Sequence, residues 1–400
     1  MSQPSPQGFP HDLLEQPVEV RRRYFETKVV AHQRLKEVYE ALLHAIRYPA
    51  GTSLILIVGP TGVGKTTLLQ RIVKQLIEDA ARDPTTTSGH IPVLALEAPS
   101  PDSGNFSWKD FYARALMVLH EPMMGYKVTY EVRGLHQDDQ GRLIIERNAT
   151  TPDLRRVLEK CLYHRRPRAF IVDEAQHFKK MTSGRRLLDQ MDTLKSLANM
   201  TSTVHVLSGH YDLLGLMNLS AQLSRRSVEI HFPRYHADRP EDLKEFKKLL
   251  RTFQRHLPLL ETPDLESHYA YFYERSLGCT GMLKTLLNKA LGTALEQGER
   301  TLLPRCWKQH EEPPQKLKEM LHEIREGEKT LRERGDEKHL QELRAMLGFF
   351  DAEPPSTPPK ESAILAPTHE APQPVRKRGR PVGQRHAKRD PVGKEASHAE

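Results

Sequence analysis

Short unbroken apolar runs alternate along this chain with stretches whose apolar residues return every third or fourth position. The runs Ser53–Val58, Ile91–Leu96, Arg168–Glu174, Val204–Ser208 and Val228–Phe232 read as strands, the first and fourth of them buried. Helical spacing marks Val29–Ile46 (Leu35, Val38, Leu42, Leu43, Ile46), the stretch after Lys65 (Leu68, Leu69, Ile72, Val73, Leu76), Trp108–Leu119, Asp153–His164 and Leu187–Ala198. Strands alternating with helices predict an α/β fold with a parallel sheet flanked by helices. Val128–Arg133 and Arg142–Arg147 flank the turn Asp138-Asp139-Gln140-Gly141, which predicts an inserted β-hairpin near 126–147.

From Pro240 the pattern turns wholly helical, over Glu241–His256, Leu265–Ser276 and Gly281–Leu295, and predicts a small helical lid. A charged helix over Gln315–Phe349 carries apolar marks at Leu317, Met320, Leu321, Ile324, Leu340, Leu343 and Leu347. It would pack along one face of its own domain or bind a partner. Beyond Asp351, prolines give way to basic residues, and neither can bury a core, so the tail is expected to be disordered. The expected organisation is an N-terminal arm (1–28, basic from Arg21 to Lys28), an α/β core (29–236), the lid (237–303), the charged helix (304–350) and the basic tail (351–400).

A hydrophobic content of 38% over 400 residues fits a chain that folds only in part. The segment Ser2–Phe9 is polar and proline-rich with no secretory signal, and no apolar run approaches the ~20 residues that cross a bilayer. The expectation is a soluble, cytoplasmic protein without a membrane partner. Cys161, Cys279 and Cys306 are far apart, which argues against a disulfide framework or a zinc site. A net charge of +8 favours polyanionic partners.

The chemistry starts at Gly59-Pro60-Thr61-Gly62-Val63-Gly64-Lys65-Thr66, which follows the first apolar strand and opens a helix continuing through Thr67. That is the context of a phosphate-binding P-loop. Its glycines let backbone N–H groups turn onto phosphates at a helix N-terminus. Lys65 would reach the β- and γ-phosphates, and Thr66 would hold Mg²⁺. Asp173 and Glu174 end an apolar strand, where the first would share the Mg²⁺ shell and the second would polarise the attacking water. Ser208 ends the next strand and could bond the γ-phosphate or that water, with His210 as a substitute. Arg225 and Arg226 precede the last strand, and one of them would act as an arginine finger on a neighbouring subunit. Gly281-Met282-Leu283-Lys284 begins the last lid helix and would put Lys284 over the nucleotide. Asn288-Lys289 is followed by Ala290-Leu291 rather than a guanine-specificity motif, so ATP is preferred to GTP.

This order of P-loop, Asp-Glu strand, polar strand end, arginine pair and lid with Gly-x-x-Lys resembles the AAA+ class over roughly Arg21 to Leu295. Within that class the stretches Phe170-Ile171-Val172-Asp173-Glu174-Ala175-Gln176-His177, Leu194–Asn199, Val206–His210 and Leu223–Arg226 are most similar to the TniB/TnsC transposition regulators. The resemblance implies an ATP-dependent homo-oligomer, ring or helical filament, that binds double-stranded DNA and links a target-selection protein or complex to a transposase. A replication-initiator or helicase-loader ATPase of the same class is the alternative, for which a winged helix would follow the lid. A nucleotide-gated scaffold with little turnover is the other. Lys284 departs from the arginine that many AAA+ lids carry.

Candidate DNA-binding residues are Lys109, Lys127, Arg133, Arg142 and Arg147, on the loop and hairpin after the second strand. The tail adds Arg378 and Arg380, in Arg378-Gly379-Arg380-Pro381, within seven basic residues and no acids from Arg376 to Arg389. That motif resembles an AT-hook, whose extended Arg-Gly-Arg lies in a narrow A·T minor groove.

Overall fold

Five parallel strands form the central sheet, in the spatial order β2 (Val93–Glu97), β5 (Ala169–Asp173), β6 (Val204–Gly209), β1 (Leu54–Val58) and β7 (Ser227–His231). The computed structural model describes residues 8–84, 89–101, 105–119, 135–137, 143–145, 149–179, 193–194, 196–201, 203–217, 225–334 and 336–349. A 3-10 turn (His11–Glu15) and helices α1 (Val18–Thr27) and α2 (Gln33–Arg47) lead into β1 (Leu54–Val58), then α3 (Lys65–Arg82), β2 (Val93–Glu97) and α4 (Trp108–Val118). The chain continues through α5 (Thr151–Arg165), β5 (Ala169–Asp173), β6 (Val204–Gly209), the short α6 (Leu214–Met217) and β7 (Ser227–His231). Residues 196–201 are helical, so the helix expected up to Ala198 runs on to Thr201.

The apolar runs become strands because both sheet faces are covered. Along β1, Leu54, Leu56 and Val58 join one core with Phe111, Leu158 and Phe170, while Ile55 and Ile57 join the opposite one with Leu42, Leu68 and Ile72. This two-residue alternation with every position apolar is what burial between two helical layers requires. Helices α4 and α5 start where Ser107 and Thr150 side chains accept the N–H groups of Asp110 and Asp153.

The lid comprises α7 (Pro240–His256), α8 (Tyr269–Ser276), α9 (Thr280–Glu296) and α10 (Pro304–Lys308). Its core joins Phe246, Phe253, Phe272, Leu287 and Trp307 with Phe25 and Val30 from the N-terminus. The stretch Arg21–Lys28, expected as a basic arm, is therefore mostly helix α1 packed on the lid. Its Arg21 donates to the Pro258 carbonyl.

Two expectations need correction. The hairpin pairs β3 (Leu135–Gln137) antiparallel with β4 (Leu143–Ile145), so its first strand abuts the turn. Val128–Arg133 lies outside the described residues. The single helix expected over Gln315–Phe349 is instead α11 (Pro314–Arg334) and α12 (Glu337–Met346), with helix-weakening Gly335 between them in the sequence. The chain divides at Leu340 into a first unit holding core, lid and α11, and a second whose described residues include the end of α12. The tail expected to be disordered lies outside the described residues.

Helix α11 packs on its own domain. Leu317 and Ile324 are buried, and Gly327 lies against Tyr211 so closely that an added Cβ would sit 2.2 Å from the ring. Arg234, just after β7, makes a double hydrogen bond to Glu328 at 2.9 and 3.2 Å. Arg334 donates to Glu229 and to the Leu214 carbonyl, each at 2.6 Å.

Candidate nucleotide site

The sheet register sets the site. Val58 pairs with Gly209, and Ile57 with Ser208, while Val172 pairs with Leu207, so the C-terminal ends of β1, β5 and β6 share one sheet edge. The loop Gly59–Gly64 turns there into α3. Gly62 and Gly64 have φ of +73° and +114°, conformations that side chains strain to adopt. A Cβ on Gly59 would meet the Phe232 carbonyl at 2.5 Å.

Asp173 organises the catalytic edge. Its Oδ2 accepts the Thr66 hydroxyl at 2.7 Å, and its Oδ1 accepts the Ser208 hydroxyl at 2.9 Å and the Glu174 N–H at 3.0 Å. Three donors thus fix a nearly buried carboxylate beside the first turn of α3. A hydroxyl and a carboxylate are hard oxygen donors suited to Mg²⁺, which takes one or two protein ligands and completes its shell with phosphate and water. Among the described residues no group of three or more His, Cys, Asp or Glu could hold a metal by itself.

Lys65 Nζ donates to the Gly59 and Pro60 carbonyls, each at 3.0 Å. Burial lowers its pKa, opposed by the nearby Glu174 and Asp173 carboxylates. Glu174 holds a left-handed φ of +52°, a strained backbone for a glutamate, and its carboxylate accepts the Gln176 amide. Gln176 in turn accepts the His210 N–H at 3.4 Å, and His210 lies 3.1 Å from the Thr61 hydroxyl. Burial, then Lys65, lowers the His210 pKa. Gln176 therefore joins Glu174 to the β6 exit, a link that residue spacing gave no reason to expect.

A cavity of about 410 Å³ adjoins these groups. Thr61, Lys65, Thr66, Thr67 and Glu174 line its core side, and Met282, Leu286 and Lys289 its lid side. Lys316 and Met320 of α11 close a third side. The lid meets the loop directly: the Gly281 and Met282 N–H groups, in the first turn of α9, donate to the Gly62 carbonyl at 2.7 and 3.1 Å.

Lys284 is not in this cavity. Its Nζ donates to the Glu26 carbonyl at 2.9 Å and to that of Lys28, and stands over the Phe25 ring. It therefore caps the C-terminal end of α1, because α1 fills the surface that α9 presents there. The lid cations that line the cavity are Arg275 and Lys289.

Arg225 and Arg226 are exposed at the opposite sheet edge, since Ser227 pairs with Leu54 at the start of β1. Arg226 donates to the Asn199 side chain at 2.9 Å. At about 3.3 Å per residue, the five residues from Leu54 to Gly59 put the pair roughly 17 Å from its own P-loop. Lys109 lies in the first turn of α4. Lys127, Arg133, Arg142, Arg147, Arg378 and Arg380 lie outside the described residues.

A five-stranded parallel sheet with the P-loop after its fourth strand in spatial order, an acid-ended neighbour and a helical lid is the AAA+ P-loop fold. Residues 46–217 match the family model described as an AAA domain. No curated protein matches the sequence. Solved structures similar to this chain include the ORC2 protein of Aeropyrum pernix in its ADP form, 17% identical over 72% of this chain and 71% of that one, with a TM-score of 0.47. The ORC1 protein of the same organism in complex with DNA is 17% identical over 72% of this chain and 68% of its own, with a TM-score of 0.48. A Walker-type ATPase of Pyrococcus abyssi is 17% identical over 81% and 80%, with a TM-score of 0.42.

Proposed function

We propose that this protein is a Mg²⁺-dependent ATPase that works as a nucleotide switch on double-stranded DNA. The observation that carries the reading is Asp173 held between Thr66 and Ser208 at the P-loop edge of the sheet. Thr66 and Asp173 would hold Mg²⁺, which neutralises charge on the phosphates when bound. Lys65 exchanges its two loop carbonyls for the β- and γ-phosphates. Glu174 takes the proton of the attacking water, and Gln176 keeps its carboxylate in place. His210 orients the water or the γ-phosphate, while Ser208, whose hydroxyl hydrogen goes to Asp173, accepts from the water.

Arg225 and Arg226 cannot reach the site of their own chain, and their place at the far sheet edge supports a role on a second copy in a ring or filament. Lys109 and the basic residues of the hairpin and the tail are the proposed DNA contacts. The output of the switch is proposed to be a DNA transaction. Transposition regulation, with a transposase and target selector as partners, rests on sequence resemblance alone. Replication initiation or helicase loading uses the same core and is the second output to test.

The test is a pair of variants in nucleotide-binding, phosphate-release and DNA-retention assays. Lys65→Ala should abolish nucleotide binding, whereas Glu174→Gln should bind ATP, lose turnover and stay on DNA. Full turnover in Glu174→Gln would move the base elsewhere. Equal ATP affinity in Lys65→Ala and wild type would refute the P-loop assignment. An origin-opening or helicase-loading assay alongside a transposase pull-down separates the two outputs.

A further inference from the structure

Helix α11 follows the lid in sequence, yet Lys316, Met320, Ile324 and Gly327 fall on one helical stripe that runs from the cavity to the core. Lys316 and Met320 line the same cavity as Lys65. Met320 also lines a second cavity with Thr61, His210 and Tyr211. The far end of the stripe is seated with no free play. Gly327 presses on Tyr211, the residue after His210, and the Tyr211 hydroxyl lies 2.9 Å from His231 Nε2. One residue on, Glu328 is locked to Arg234. Two helical turns, about 10 Å, separate this seat from Met320.

We propose that α11 is a wall of the nucleotide site, with Lys316 and Met320 as nucleotide-contacting residues and Gly327 on Tyr211 as the seat that holds them there. This rests on the P-loop reading above. A nucleotide between the loop, α9 and α11 is held partly by α11, so the grip of α11 contributes to its residence time. Lys316, whose Nζ is paired with Glu312 at 2.7 Å, adds a third cation to the Arg275 and Lys289 of the lid.

The test uses the full chain and a fluorescent ATP analogue chased with unlabelled ATP. Gly327→Ala is the sharpest variant, because alanine strengthens an isolated helix while its Cβ cannot share the space of the Tyr211 ring. Gly327→Ala and Lys316→Ala should each release the analogue roughly fivefold faster or more, equivalent to about 1 kcal/mol. The double variant should be no faster than Gly327→Ala alone, and Lys316→Arg should keep the wild-type rate. Release within twofold of wild type in both single variants overturns the proposal. Should Gly327→Ala fail to fold, Lys316→Ala decides, since that side chain is largely exposed. If wild type and Lys65→Ala bind the analogue equally poorly, the P-loop reading fails and this proposal with it.

Discussion

Replacing Glu328 by alanine strands a buried cation. The Arg234 and Glu328 side chains are only 10% and 6% exposed, and the carboxylate meets both the Nε and an Nη of the guanidinium. Without it, Arg234 keeps two neutral acceptors at 3.3 Å, the Tyr273 hydroxyl and the Leu277 carbonyl. Removing one partner of a buried pair costs about 3–5 kcal/mol, mostly as the penalty of the orphaned charge. With an unfolding entropy near 2.1 cal/mol/K per residue over roughly 330 residues, each kcal/mol lowers Tm by about 1.4 °C, so a fall of roughly 4–7 °C is expected. Thermal melts and urea titrations read this directly. The double replacement Arg234→Met/Glu328→Leu should recover most of the loss, because the desolvated charge is gone as well. A shift below about 1 °C in Glu328→Ala, with α11 amides still protected from exchange, would refute the reasoning.

Two further predictions follow from side chains whose roles the structure redefines. Lys284→Ala should cost about 1 kcal/mol in a urea titration, by freeing carbonyls at the end of α1, and leave ATP affinity unchanged; a tenfold loss of affinity would return it to the nucleotide. Burial pushes the His32, His205 and His231 imidazoles down to about 4. Between pH 6.5 and 4 the unfolded chain therefore binds more protons than the folded one, and stability falls on acidification by at most about 3 kcal/mol per histidine. Urea midpoints from pH 7 to 4.5 should drop, less steeply in His205→Leu, and a rise would contradict the assignment.

The parts of the molecule written in local pattern were legible in the sequence. The runs Leu54–Val58 and Ala169–Val172 are apolar at every position because the sheet is covered twice, so the parallel sheet and the P-loop edge could be reasoned out. Asp173 beside Thr66 follows from that same logic. What escaped depends on residues distant in sequence. Arg21–Lys28 reads as a basic arm because its single deeply buried residue, Phe25, has no periodic companions. Lys284 fits a lid motif, and only the Glu26 and Lys28 carbonyls, more than 250 positions earlier, draw it away. The stripe on α11 was visible, but its destination was not: Tyr211 accepts Gly327 only once β6 has placed it beside the P-loop.

The Gly62 carbonyl accepts from two N–H groups of α9, so one peptide plane of the P-loop is held from outside the core. A change of lid angle would therefore pull on this loop carbonyl. Thermodynamic reciprocity follows: if nucleotide favours one lid position by some factor, anything that fixes that position raises nucleotide affinity by the same factor. A protein or DNA segment gripping the outer surface of the lid would tune the phosphate loop without touching it. Conversely, loss of the γ-phosphate would be felt on that outer surface, so a molecule bound there senses the nucleotide state through one backbone carbonyl.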